Sequence, residues 1–186
     1  MKVLILNGSP RQEGSTVQIL HAIQAGIPGE HQVEWVDVYQ LTVKPCLGCL
    51  RCRPNHECVL AGDDAQRIGG KMLAADAVII GTPSYWRNMS GVLKNLFDRN
   101  VTTFEDFSQG RFPKPRQKGK KAMIIAVAAA PWPFNDSGAV NSVKRVLRGG
   151  AYQIAGIINY GGTSIRKEVP AKVLERANRL GSALVK

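Results

Sequence analysis

Residues 3–16 carry the sequence VLILNGSPRQEGST, an apolar run followed by a loop rich in small and polar residues. An apolar run without polar alternation is typical of a strand buried on both faces of a parallel sheet. Val17, Leu20, Ile23 and Ile27 then recur at helical spacing. The stretch therefore predicts a strand, a loop and a helix in direct succession, which is the building unit of an α/β fold.

The same alternation continues along the chain. Strands are predicted at residues 3–6, 33–39, 77–80, 122–130 and 154–158. Helices are predicted after the first strand, at 64–75, from about residue 90, around Val140 to Leu147, and at the end with Val169, Val173, Ala177, Leu180 and Leu184 on one face. Five strands and five helices favour right-handed βαβ units and a doubly wound parallel sheet with helices on both faces. We expect one domain over residues 1–186, with its site in the loops after the strands.

Composition narrows the class of protein. The 186 residues are 44% hydrophobic and 21% charged, and 25 Lys and Arg against 14 Asp and Glu give a net charge of +11. The longest uncharged stretch, 122–135, contains two prolines and is too short to span a bilayer, and no signal peptide precedes the first strand. These features predict a soluble, cytoplasmic protein that does not bind a membrane.

The loop after the first strand predicts a phosphate site. Glycines let the backbone approach an anion, hydroxyls and helix N–H groups donate hydrogen bonds, and an arginine supplies a charged fork. The Walker A lysine and the G-x-G-x-x-G pattern are both missing, so a terminal monophosphate is favoured. The alternative is an ordinary capped helix start. The candidate ligands are Ser9, Arg11, Gly14, Ser15 and Thr16.

The loop after the third strand predicts a binding surface for a planar ring. Two adjacent aromatic residues at the carboxyl end of a strand can stack on such a ring, and neighbouring peptide groups can bond to its edge. The alternative is that the aromatic residues pack beneath a surface loop. The candidates are Pro83, Ser84, Tyr85, Trp86, Asn88 and Met89.

Most of residues 1–100 resemble the flavodoxin-like NAD(P)H-dependent FMN reductases. The likeness lies in GSPR at 8–11, GST at 14–16, DD at 63–64, TPSY at 82–85, NMSG at 88–91 and LKNLFDR at 93–99. The resemblance implies the strand order 2-1-3-4-5, FMN phosphate on the first loop and the flavin ring beside the second. It also implies that a third loop, Ala129-Ala130-Pro131-Trp132, approaches the flavin, and that the protein forms a homodimer or homotetramer around it.

Cys46, Cys49, Cys52 and Cys58 lie within thirteen residues, and no other cysteine occurs. Clustering favours a metal or redox site over a disulfide framework, and three thiolates at this spacing can surround one corner of a cluster. The spacing resembles that of the iron–sulfur flavoproteins, a branch of the same family, whose four cysteines ligate a [4Fe–4S] cluster that exchanges electrons with FMN. A loop without a cluster, buried thiols or a Cys46–Cys49 redox disulfide remain alternatives. We expect the loop to lie near the carboxyl edge of the sheet, beside FMN.

A basic segment, residues 111–121, carries six positive charges. Such a run is usually a solvated loop, although it can also attract an acidic electron carrier or a nucleotide phosphate. Nucleic-acid binding is not supported, because no recognised module is present.

Three functions are consistent with these features. The first is an FMN-dependent oxidoreductase that relays electrons between NAD(P)H, or an acidic carrier such as ferredoxin, and an acceptor through FMN and a [4Fe–4S] cluster. The second is a cluster-free NAD(P)H-dependent reductase of FMN or quinones. The third is a flavin redox sensor without enzymatic turnover.

Overall fold

The computed structural model describes residues 1–60, 62–108, 112–131, 133–135, 137–166 and 168–186. The strands are β1 (Lys2–Asn7), β2 (Gln32–Asp37), β3 (Ala77–Pro83), β4 (Glu105–Asp106), β5 (Lys114–Pro115), β6 (Lys121–Val127) and β7 (Gln153–Tyr160). The helices are α1 (Ser15–Gly26), α2 (Cys52–Asn55), α3 (Asp64–Ala74), α4 (Gly91–Arg99), α5 (Val101–Phe104), α6 (Gly138–Gly149) and α7 (Ala171–Leu184). None of the helices in these ranges is long and apolar enough to cross a membrane.

The main sheet has five parallel strands in the order β2-β1-β3-β6-β7. Counted along the main strands alone, this is the predicted order 2-1-3-4-5, so the flavodoxin-like arrangement is confirmed. The long crossovers that parallel pairing requires are supplied by the helices. All carboxyl ends of the strands therefore meet at one edge.

The three central strands of the sheet, β1, β3 and β6, bury both faces against helices. In β1, Val3 and Ile5 join the core beneath α1 and α7, whereas Leu4 and Leu6 join the core beneath α3, α4 and α6. Alternate side chains of a strand point to opposite faces, and both faces are dry here. This two-sided burial is why the strand reads as an unbroken apolar run.

Helices α1 and α7 are in backbone contact. A Cβ atom added to Gly26 would lie 1.9 Å from the Asn178 carbonyl oxygen, and one added to Gly181 would lie 2.0 Å from that of Ile23. Two glycines therefore allow the helices to approach more closely than any side chain would permit. The contact lies near the carboxyl-terminal ends of both helices, away from the loops at the carboxyl edge of the sheet.

Several predicted boundaries were wrong by a few residues. The strand predicted at 33–39 ends at Asp37 and continues as a 3-10 turn over Val38–Gln40. The strand predicted at 122–130 ends at Val127, because the backbone beyond it bonds to the loop after β7. Val169 is buried but precedes α7.

The basic segment is more ordered than a solvated loop. Lys114–Pro115 pairs with Glu105–Asp106 as a small antiparallel ribbon. Gln117 is fully buried and its side-chain amide donates to the Thr103 carbonyl at 2.6 Å. Arg111, at the beginning of the segment, lies outside the described residues.

Candidate functional site

The loop between β1 and α1 folds back on itself. The Gly8 N–H donates to the Gly81 carbonyl at 2.8 Å, and the Gly14 N–H donates to the Arg11 carbonyl at 3.2 Å. The Ser9 Oγ accepts from the Arg11 N–H at 3.3 Å. A Cβ atom at Gly8 would lie 2.9 Å from the Ser90 Oγ, so glycine is needed where this loop touches the beginning of α4. These bonds preform the loop in the absence of a ligand.

The beginning of α1 is open. Gly14 is its N-cap residue and supplies no capping side chain, and no acidic residue lies in the first turn. The first N–H groups of a helix have no partner within the helix and carry positive potential. The Arg11 guanidinium has no hydrogen-bond or ion-pair partner among the described residues. This end of α1 is therefore suited to an anion.

A cleft of about 510 Å³ lies above this helix start, at the carboxyl edge of the sheet. Its volume falls within the usual range for small-molecule sites. Four loops contribute to it, namely those after β1, β3, β6 and β7. The lining residues are Ser9, Pro10, Arg11, Glu13, Gly14, Ser15, Thr16, Gln18, Pro83, Ser84, Tyr85, Val127, Ala129, Thr163 and Arg166.

The cleft brings together most of the residues predicted from the sequence. All five candidate phosphate ligands line it, with Pro83, Ser84, Tyr85 and Ala129. Trp86, Asn88, Met89 and Ala130 do not. Thr163 and Arg166, which sequence reasoning missed, enter from the loop after β7. The rule that parallel strands end at one edge could have identified that loop, although not its residues.

The loop after β3 is a tight hairpin. Tyr85 and Asn88 exchange backbone hydrogen bonds of 3.0 and 2.9 Å, and Trp86 and Arg87 between them have φ values of 52° and 63°. Positive φ at both central positions matches the turn type that suits a hairpin, although side chains other than glycine and asparagine are strained there. The turn places Trp86 at its tip, 99% exposed.

Two neighbours of this turn have other contacts. The Met89 side chain is 4% exposed and belongs to the core, and its N–H donates to the Ser142 Oγ at 3.0 Å. The Asn88 side-chain oxygen also accepts from the Met89 N–H, at 2.9 Å. Met89 thus fastens the hairpin to α6, and its side chain is not part of the cleft wall.

Tyr39, which follows β2, contacts the same hairpin. Burial and a hydrogen bond with the Tyr85 hydroxyl raise the pKa of the Tyr39 hydroxyl. Tyr39 therefore lies beside Tyr85, on the β2 side of the cleft. The sequence indicated no role for Tyr39 beyond the end of a strand.

The loop after β6 is bonded to the loop after β7. The Ala129 carbonyl accepts from the Ser164 hydroxyl at 2.8 Å, and the Ala130 carbonyl accepts from the Gly162 N–H at 2.9 Å. Ala130 thus contributes backbone support, whereas Ala129 lines the cleft. Trp132, the last residue of this predicted flavin loop, lies outside the described residues.

The cysteine loop, residues 46–58, lies elsewhere. Cys46 lines a separate cavity of about 500 Å³ with Phe97, Val101 and Phe104 at the end of α4 and in α5. None of the four cysteines lines the cleft. The cysteine loop was expected beside the cleft, at the carboxyl edge of the sheet. It packs instead near the end of α4, because the side chains that anchor it lie there.

Arg99, the last residue of α4, is the main anchor. Its guanidinium pairs with Asp63 and donates to the carbonyls of Lys44 at 2.7 Å and Leu60 at 2.8 Å. The Arg99 and Asp63 side chains are both fully buried. Burial lowers the pKa of Arg99, but hydrogen bonds with Asp63 and the Cys58 thiol outweigh it, so the net pKa is raised.

A second anchor joins the cysteine loop to the segment after α5. The His56 Nε2 lies 2.9 Å from Asp106 Oδ1, and the Arg53 guanidinium lies 4.8 Å from the centre of the Phe107 ring. Hydrogen bonds from Ser108 and His56 lower the pKa of Asp106 to about 2. The cysteine loop is thus held both by Arg99 at the end of α4 and by the segment that follows α5.

All four cysteines are free thiols, with Cys46 and Cys49 exposed and Cys52 and Cys58 half-buried. Burial raises the pKa of the Cys52 thiol, and Cys58, Cys46 and Cys49 raise it further, so the other three sulfurs lie within electrostatic reach of Cys52. Within the described ranges, however, no three His, Cys, Asp or Glu side chains are close enough together to hold a metal ion. The thiol chemistry suits an iron–sulfur cluster, but this arrangement of the loop does not yet form its ligand shell.

The fold and cleft define a flavodoxin-like α/β protein with an uncapped helix start in a cleft at the carboxyl edge of its sheet. The chain belongs to the NADPH-dependent FMN reductase family, whose model matches residues 1–160. Membership explains why the first and third strand loops converge on one cleft.

Individual relatives agree with this family. An iron–sulfur flavoprotein of Methanocaldococcus jannaschii is 36% identical over 101 residues, which are 54% of this chain and 52% of that protein. The match thus spans about half the length of that relative. An iron–sulfur flavoprotein of Archaeoglobus fulgidus is 28% identical over 186 residues, covering 99% of this chain and 79% of that one. A structure of an FMN-dependent NADH-azoreductase from Bacillus anthracis in complex with FMN shares the fold, with a TM-score of 0.66, 15% identity, and coverage of 100% of this chain and 98% of that chain.

Proposed function

We propose that the protein is an FMN-dependent oxidoreductase that takes electrons from NAD(P)H and passes them to an acceptor, with residues 1–186 forming one FMN-binding domain. The observation that carries this proposal is the cleft, where an uncapped helix start and three hydroxyl side chains converge with the Arg11 guanidinium, which has no partner among the described residues. That donor set suits a phosphate dianion, and the space beside it is walled by the loop after β3. Family membership independently favours FMN.

Each part of the cleft has a distinct task in this proposal. Ser9, Ser15 and Thr16 donate hydrogen bonds to the phosphate, and Arg11 adds a charged bond. Pro83, Ser84 and Tyr85 bound the ring, while the hairpin tip with Trp86 and Asn88 projects beside it. FMN accepts hydride directly, so the protein supplies binding, orientation and electrostatics and no general acid or base is assigned.

The proposed function is tested with purified protein in two steps. We expect FMN to bind one per chain, measured by quenching of its fluorescence, and the loaded protein to oxidise NADPH or NADH when a quinone is supplied. Failure to bind FMN would exclude the proposal. FMN binding without NAD(P)H turnover would instead favour the redox sensor.

A second candidate function adds an iron–sulfur cluster to the same protein. We propose that Cys46, Cys49, Cys52 and Cys58 ligate [4Fe–4S] after local rearrangement of their loop. Two observations favour it, namely that the other three thiols lie within electrostatic reach of Cys52, and that the buried Nε–H of Arg99 has no hydrogen-bond partner among the described residues. Such a cluster is anionic, and nearby cations would offset its charge. Free thiols also suit the cytoplasm, and the basic surroundings suit an acidic carrier such as ferredoxin.

The cluster prediction is tested by iron and acid-labile sulfide analysis after anaerobic reconstitution. We expect about four irons per chain, falling sharply when Cys46 is replaced by serine. A Ser182→Ala variant, in α7, serves as a control outside the cysteine loop and its anchors. Fewer than about two irons per chain, with four titratable thiols, would favour the reductase without a cluster.

We also propose that a second copy of the chain covers the flavin. Trp86, Phe134 and Ile165 are large apolar side chains on the loops after β3, β6 and β7, and each is more than 70% exposed. Exposed apolar residues grouped around one site are typical of an interface. We expect sedimentation to show a dimer or tetramer at micromolar concentration, and a Trp86→Ser/Ile165→Ser variant to shift it toward monomer. A wild-type protein that stays monomeric would contradict this prediction.

A further inference from the structure

A second cavity adjoins the cleft on the side away from α1. It has a volume of about 680 Å³ and lies between the loops after β6 and β7, with Asn135, Ser137, Asn159 and Tyr160 in its wall. Arg166 lines both this cavity and the cleft, and no other described lining residue does so. The two spaces therefore meet at one cationic side chain.

Arg166 has a fixed backbone and a free guanidinium. Its N–H donates to the Gly162 carbonyl at 3.0 Å, and the same loop is bonded to the end of β6 through Ser164 and Ala129 at 2.8 Å. The guanidinium makes no hydrogen bond or ion pair with any described residue. The Arg166 side chain is exposed, and a guanidinium without a partner among the described residues can form a charged, forked bond to a phosphate group.

Other groups in the cavity match a nucleotide. Ser137 is the N-cap residue of the twelve-residue helix α6 and makes no side-chain cap, so it adds the positive end of a helix. The Asn135 amide donates to the Asn159 side-chain oxygen at 3.4 Å, so the wall of the cavity carries amide groups of the kind that can bind a base or a ribose. Asp136, next to these residues in the sequence, lies outside the described residues.

We propose that this second cavity binds the adenosine half of the NAD(P)H donor and that Arg166 binds one of its phosphate groups. The inference rests on the proposed function, in which FMN occupies the cleft and the donor must approach beside it. In this proposal the cleft of about 510 Å³ already holds FMN, so the adenosine half of the donor needs a place beside it. The adjoining cavity offers that place, with positive charge at the junction.

The test uses FMN-loaded protein and two fragments that lack nicotinamide, 2′,5′-ADP and 5′-AMP, with calorimetry as the readout. Arg166→Gln is expected to raise the Kd of 2′,5′-ADP about ten- to hundredfold, the usual value of one charged hydrogen bond. Arg166→Lys should recover part of the affinity. Arg179→Gln makes an equal change of charge on α7 and should leave the Kd of 2′,5′-ADP within twofold of the wild-type value. If both fragments lose affinity equally, Arg166 binds the 5′-phosphate that they share. If only 2′,5′-ADP loses affinity, Arg166 binds the 2′-phosphate.

Kinetics provide an independent readout. In Arg166→Gln we expect the KM for NADPH to rise by the same factor while kcat and the Kd of FMN stay within twofold. Weaker FMN binding with unchanged fragment affinity would overturn the inference, because Arg166 would then serve the FMN phosphate. Fragment binding that disappears when FMN is loaded would also overturn it, because the fragment would be occupying the cleft. Either result would leave the proposed function standing, since that depends on FMN binding and turnover in the wild type.

Discussion

Replacing Ser15 and Thr16 together by alanine is expected to weaken FMN binding by about 3–6 kcal/mol, a factor of roughly 10² to 10⁴ in Kd. Each hydroxyl would otherwise donate to the phosphate dianion, and a hydrogen bond to a charged group contributes about 1.5–3 kcal/mol. Both residues line the cleft in the first turn of α1. Titration by quenching of flavin fluorescence measures the effect.

The control for this variant exchanges the two side chains, Ser15→Thr with Thr16→Ser, and so keeps both hydroxyls. It should bind FMN within about tenfold of the wild type, because the hydrogen-bond donors remain. Alanine is a good helix former, so the double-alanine helix itself should persist, which circular dichroism can verify. If the double-alanine variant binds FMN as tightly as the wild type, the phosphate does not lie at the beginning of α1.

Replacing Arg99 by methionine is expected to lower the free energy of unfolding by about 3–5 kcal/mol. The change leaves the Asp63 carboxylate buried without its cation and removes the donors to the Lys44 and Leu60 carbonyls. Removal of one partner from a buried pair exposes the full desolvation cost of the other. Because total stabilities are usually about 5–15 kcal/mol, urea denaturation should show a large shift in midpoint.

Arg67→Met is the matched control, since Arg67 pairs with the neighbouring acid, Asp64, three residues earlier on the exposed face of α3. An exposed pair contributes about 0–1 kcal/mol, so its loss should be small. The cysteine loop should also lose protection from amide hydrogen exchange in Arg99→Met and keep it in Arg67→Met, because Arg99 alone of the two contacts that loop. If the two variants changed the denaturation midpoint and the exchange protection of the cysteine loop equally, the role assigned to Arg99 would be contradicted.

The buried pair also predicts a pH dependence. Burial raises the pKa of the Asp63 carboxyl, but hydrogen bonds from Arg99 and from the Lys44 and Ala65 N–H groups outweigh it, and the net pKa lies below 3.8. The stabilisation is therefore fully present above the ordinary pKa and is lost as the pH falls through the lowered one. In Arg99→Met, the part of the free energy of unfolding that is lost as the pH falls should be smaller than in the wild type.

Family motifs predicted the candidate site only in part. Ser9, Arg11, Ser15 and Thr16 lie next to one another in the sequence, so a single strand–loop–helix unit is enough to bring them together. Tyr85 and Trp86 were identified as a pair, but their different positions depend on the left-handed turn at Trp86 and Arg87. Met89 was assigned to the ring on proximity in sequence, whereas its side chain is buried in the core.

The sequence by itself determined the sheet and its phosphate loop. Val3, Leu4, Ile5 and Leu6 must all be buried, and a strand covered on both faces is the structure that buries them together. Periodic apolar residues likewise indicated the five main helices, because one face of each has to leave water. These are local consequences of burying apolar surface, and they can be read one segment at a time.

Only the tertiary structure decided which distant residues meet. Arg166 reaches the cleft because the loop after β7 is bonded to the chain beyond β6, with the Gly162 N–H donating to the Ala130 carbonyl and the Ser164 hydroxyl to the Ala129 carbonyl. The cysteine loop lies at the end of α4 because Arg99 and Asp63, 36 residues apart, form a buried pair there. Such placements depend on packing and charge pairing between segments far apart in the chain, and no local periodicity records them.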